Sequence, residues 1–103
     1  MKCVVAWKVR AGGSAAENEA SAARLLEVNS KWTQASETTI HQFVLRVDGQ
    51  GGFAIQDSED LASLALSLAK LTPYVEVEVF PVLDIGEALP LFAEAIEFRN
   101  SVK

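Results

Sequence analysis

The chain has 103 residues, half of them apolar and 22% charged, with nine Lys and Arg against 14 Asp and Glu for a net charge of −5. That length suits one domain over residues 1–103, and that composition excludes a disordered or low-complexity chain. The negative balance disfavours nucleic acid and anionic membranes as partners, because both repel a net anion.

Residues 2–10 are rich in β-branched and aromatic types and are stopped by Gly12-Gly13, which predicts a first strand. Ser14 followed three residues later by Glu17 has the spacing of a capping box, so a helix starts there. Its apolar stripe of Ala16, Ala20, Ala23 and Val28, with Leu25 and Leu26 nearby, runs to about Trp32. Thr38 to Val47 is strand-like, and the glycine-rich turn from Asp48 to Gly52 leads into Phe53–Gln56, predicting a hairpin. Asp57 or Ser58 caps a second helix with an apolar face of Leu61, Leu64, Ala65, Leu68 and Leu71, ended by Thr72-Pro73. Tyr74 to Leu83 alternates as a fourth strand, Val75, Val77 and Val79 against Glu76 and Glu78. A last helix follows a short turn, carries Pro90 in its first turn and runs to about Arg99.

The order is β-α-β-β-α-β plus a terminal helix, which is the α+β ferredoxin-like arrangement of an antiparallel sheet. Right-handed crossovers place both connecting helices on one face, with strands in the spatial order four, one, three, two. One set of alternating side chains reads Cys3, Val5, Trp7, Val9; His41, Phe43, Leu45, Val47; Phe53, Ile55; and Val75, Val77, Val79. This set is expected under the helices. The opposite set reads Val4, Ala6, Lys8, Arg10; Ile40, Gln42, Val44, Arg46; Ala54, Gln56; and Glu76, Glu78, Phe80, Val82.

A half-apolar face on an uncovered sheet is the kind of patch that marks association. Two such faces packed together would make a homodimer, an α/β barrel with Lys8, Val44, Arg46, Glu76, Glu78 and Phe80 at the interface. The plainer alternative is a solvated surface with cross-strand ion pairs, Lys8 facing Glu76 or Glu78.

The wording of the chain resembles a bacterial family known as domain of unknown function 3303. The likeness rests on Val5-Ala6-Trp7-Lys8, on Gln42 to Gly49 with Gly51-Gly52-Phe53-Ala54, and on Pro73 to Val79 leading into Pro81-Val82-Leu83-Asp84-Ile85. It covers nearly the whole chain. The resemblance implies a dimeric α/β barrel and carries no reaction or catalytic residue across. In topology alone the order is also similar to small antibiotic-biosynthesis monooxygenases, and fold by itself does not establish function.

His41 is the only histidine, which excludes a multi-histidine metal site within one subunit. On the predicted apolar side it is a candidate general base if a pocket opens under the helices; a structural, hydrogen-bonded histidine is the simpler reading. Trp7 and Phe43 share that side and are candidates to line an aromatic pocket with His41, against ordinary core packing. Cys3 is the single cysteine, so it forms no intrachain disulfide and reads as a small buried hydrophobe suited to a reducing compartment. Glu76 and Glu78 have a spacing that would hold a cation, but the nearby Lys8, Arg10 and Arg46 favour salt bridging. Gly12-Gly13-Ser14 lacks the lysine and glycine spacing of phosphate loops and reads as a turn and cap.

Residues 1–10 lack the pattern of a secretory leader, and no apolar run reaches the ~20 residues of a membrane span, so a cytoplasmic location without membrane contact is expected. No cofactor and no metal are expected. The functional expectation is a homodimer that binds a small apolar or aromatic molecule between sheet and helices, near Trp7, His41 and Phe43. Two alternatives stand beside it: a cofactor-independent monooxygenase- or isomerase-like enzyme with His41 as base, and a non-catalytic structural or regulatory dimer.

Overall fold

The computed structural model describes residues 1–31 and 38–102. Seven elements follow in the order β1 (Lys2–Val9), α1 (Ala15–Lys31), β2 (Thr38–Leu45), β3 (Gly51–Ser58), α2 (Leu61–Ala69), β4 (Val75–Pro81) and α3 (Ile85–Ser101). The four strands form one antiparallel sheet in the order β2-β3-β1-β4. This is the ferredoxin-like α+β arrangement, with α3 added after the last strand.

Local chemistry explains the helix starts. Ser14 Oγ accepts from the Glu17 N–H at 3.1 Å while Glu17 Oε1 accepts from the Ser14 N–H at 3.2 Å, the reciprocal pair of a capping box. Those bonds stabilise the ionised form and hold the Glu17 carboxyl below its ordinary range, the Ser14 backbone N–H contributing most. Ser14→Ala is expected to cost about 1 kcal/mol of stability, read as a lower urea midpoint. Trp32, where α1 was expected to end, lies outside the described residues.

The cap of α2 differs from expectation. β3 continues through Asp57 and Ser58, and Asp60 takes the cap, accepting from the Ala62 N–H and the Ser63 hydroxyl at 3.0 Å each. The ladder to β1 decides this, because Lys2 pairs with Asp57 and the Ser58 N–H donates to the Met1 carbonyl, which draws both into the sheet. Pro90 also sits deeper than expected, inside α3 rather than in its first turn. The Asp84 carbonyl accepts from the N–H groups of Glu87 and Ala88, so the helix is already under way before the proline.

The faces of the sheet follow from register. β1 and β4 pair Val5 with Val79 and Trp7 with Val77, so odd residues of both strands share the helix-covered face, as expected. β3 is inverted. Arg46 N–H donates to the Gly51 carbonyl across a four-residue loop, and an even loop pairs residues of opposite parity, Phe43 with Ala54 and Val44 with Phe53. Gly52, Ala54, Gln56 and Ser58 are therefore buried, whereas Phe53 is 46% exposed on the open face and Ile55 lies beside it.

A β-bulge between Ile40 and Gln42 then inverts the first half of β2. Ile40 turns towards the helices and His41 turns away from them, both opposite to expectation. The core that results consists of Cys3, Val5, Ala54 and Leu64, with Leu68 and Val77 packed against it. Burial pushes the Cys3 thiol pKa up, consistent with an inert core side chain.

Candidate functional site

Five of the six small or polar buried residues among the described ones, Gly51, Gly52, Ala54, Gln56 and Ser58, come from β3, and Cys3 is the sixth. β3 lies between β2 and β1 and presents Gly52, Ala54 and Gln56 to the helices, where the alternation of large groups would have placed Phe53 and Ile55. The space between sheet and helices is left partly unfilled, as a cavity of about 310 Å³. Its floor includes Val5, Trp7, Thr38, Ile40, Phe43, Ala54, Gln56 and Val77, and its roof includes Leu25, Leu26, Asn29, Leu64, Ser67, Leu68 and Leu71.

Trp7 and Phe43 meet at the floor with ring centroids 5.0 Å apart and planes tilted by 47°, a favourable aromatic geometry. Gly52 makes this possible. It pairs with Trp7 across the ladder, and any Cβ there would collide with the edge of the indole ring and with the Val44 carbonyl. Gln56 is the most buried polar group of the floor, which also carries Thr38. It is 7% exposed, and its amide makes one long contact, Nε2 to Ser58 Oγ at 3.5 Å, at the outer limit of a hydrogen bond. Its other amide atom has no protein partner among the described residues. A buried amide left so is costly unless something else meets it.

His41 does not line the cavity. The bulge places it on the open face, where its Nε2 lies 2.6 Å from Asp57 Oδ2 and the two side chains are each 45% exposed. The His41 hydrogen bond is the main reason that the Asp57 carboxyl is held below the usual carboxylate range, with Lys2 and the N-terminal ammonium adding smaller attractions. A depressed carboxylate pKa contributes stability above its unfolded value and loses it as pH falls through its folded one. His41→Ala should therefore raise the Asp57 pKa and flatten the loss of stability below about pH 4, as followed by carboxyl NMR and urea midpoints. An unchanged Asp57 titration would mean that Lys2 and the N-terminus hold it instead.

The residues expected at an interface gather mostly on the open face. Val44 is 42% and Phe80 47% exposed there, now joined by Phe53. Lys8 is opposite Glu76 and Ala6 opposite Glu78 in the β1–β4 register. Glu76 also lies 3.7 Å from Arg10 Nη1, a surface ion pair of small energetic weight. Arg46 lies beyond the end of β2 and bonds Asp48 within the hairpin turn, away from Glu76 and Glu78. Gly49 takes a φ of +72° in that turn, a conformational reason for glycine.

Ile40, Ala54 and Gln56 are the cavity residues that alternation alone misplaces. The usable signal was the length of the hairpin loop, which reverses the parity of β3 relative to β2. Among the described residues no group of three or more His, Cys, Asp and Glu side chains is arranged to hold a metal ion. No helix among them is long and apolar enough to cross a membrane. A family model described as Domain of unknown function (DUF3303) matches residues 1–96. No curated protein matches the chain.

Proposed function

Because the chain belongs to the DUF3303 family, whose description assigns no activity, we propose a function from geometry: a homodimer that binds a small aromatic molecule with one polar group in the cavity under the helices. The observation that carries this reading is the buried, under-bonded Gln56 amide in a mostly apolar hollow, whose other polar lining residues are Asn29, Thr38 and Ser67. Ligand cavities are mostly apolar with a few placed polar groups, and about 310 Å³ is at the small end of their range. Trp7 and Phe43 offer ring faces, and Gln56 offers a donor or acceptor to a hydroxyl or carbonyl.

The dimer is supported by the exposed apolar side chains of Val44, Phe53 and Phe80 on one sheet face. His41 has no part in this binding, because it sits across the sheet from the cavity. A cavity-bound substrate would therefore find no histidine base, and catalysis by His41 on such a molecule is not the reading favoured.

Calorimetric titration with 2-naphthol and with naphthalene tests the proposal. We expect 2-naphthol to bind about tenfold more tightly, corresponding to one buried hydrogen bond of roughly 1.4 kcal/mol. Gln56→Leu should erase that preference and leave naphthalene binding unchanged. Absence of binding by both probes would overturn the reading, as would a preference that survives Gln56→Leu.

A further inference from the structure

We propose that α3 is an exchanged arm, covered by a second copy of this chain rather than by its own body; the inference rests on the homodimer proposed above. At 100° per residue, the large apolar side chains of α3 all fall within one half of its circumference, and Glu87, Glu94 and Glu97 fall in the other. Ile85, Leu89, Leu91, Phe92, Ile96 and Phe98 are between 49% and 71% exposed, and the helix has no buried residue. Together they expose an area on the order of the ~800 Å² that each partner contributes to a standard interface.

The root of α3 directs it away from its own sheet. Val82 N–H donates to the Lys2 carbonyl at 3.0 Å and prolongs the β1–β4 ladder. Asp84, the cap residue, is ion-paired to the Lys2 ammonium at 2.5 Å. Only Leu83 separates ladder from cap, so the direction in which α3 leaves the sheet is held by these contacts. The molecule is accordingly 63 Å long with a radius of gyration of 18.2 Å, whereas a compact chain of this length has ~13 Å.

The same chain carries a reciprocal surface, the open sheet face with Val44, Phe53 and Phe80 exposed. A two-fold axis would cover both arms at once and close the assembly, so no free arm remains to recruit further copies. An anionic lipid surface fits poorly, because the polar half of α3 is acidic and the chain carries a net charge of −5.

The test is sedimentation of the full chain and of Phe92→Glu/Ile96→Glu, with photo-crosslinking through a benzoylphenylalanine at position 92. The expected results are a wild-type dimer, a dimer dissociation constant raised at least a hundredfold in the double variant, and a covalent two-chain product. Because α3 has no buried residue, the variant should keep its sheet, checked by circular dichroism. A wild-type dimer that neither weakens in the double variant nor crosslinks between chains would overturn the arm and leave the dimer standing. A monomeric wild-type chain would overturn the dimer itself. If that monomer scatters with a radius near 13 Å, α3 folds onto its own body; if it floats with phosphatidylcholine vesicles, lipid is the occupant.

Discussion

Replacing Gly52 with alanine is expected to lower the unfolding free energy by about 3 kcal/mol, read as a fall in urea midpoint at unchanged m-value. Gly52 is flanked on both sides, opposite Trp7 on β1 and Leu45 on β2. An added Cβ would collide with the Trp7 indole and with the Val44 carbonyl, which is backbone held in the β2–β3 ladder. The ring can retreat only by leaving Phe43, and the carbonyl only by opening the ladder. Gly12→Ala is the matched control, since nothing lies within 4 Å of a Cβ there; its effect should stay within about 0.5 kcal/mol. Equal costs at the two positions would show that the close approach of Trp7 to β3 is not what requires glycine.

Ala54→Leu is expected to weaken 2-naphthol binding at least a hundredfold while leaving the domain folded. Ala54 is 4% exposed, pairs with Val5 and Phe43, and forms part of the cavity floor beside Gln56. A leucine there extends into space that is already empty, so the substitution should change stability by less than about 1.5 kcal/mol. Ile55→Leu, one residue along and on the opposite sheet face, should leave the affinity unchanged. Undiminished 2-naphthol binding in Ala54→Leu would place the ligand elsewhere.

The elements themselves were legible in the residues. The Ser14–Glu17 box, the alternation of Val75 to Val79 and the Asp48-Gly49 turn each act over a few residues, and each appears where its chemistry predicts. The strand order was legible too, because right-handed crossovers leave few arrangements for two helices between four strands. The face of each side chain was legible only for β1, β4 and the second half of β2. In β3 and the start of β2 the same hydrophobic alternation fits both parities, and Phe53 and Ile55 look more like core residues than Ala54 and Gln56.

Sequence by itself therefore determined the kinds of element, their order and the Ser14 cap of α1, since helix starts, turns and strand propensity depend mostly on near neighbours along the chain, whereas the cap of α2 moved to Asp60 once β3 was extended by its ladder. Tertiary structure alone decided which residues meet: the four-residue hairpin loop turned Gln56 inward, and the bulge turned His41 outward to Asp57. Parity between strands is a property of pairing, and one inserted residue reverses it without changing the local pattern. The unfilled space beside Trp7 and the uncovered half of α3 follow from that same long-range geometry.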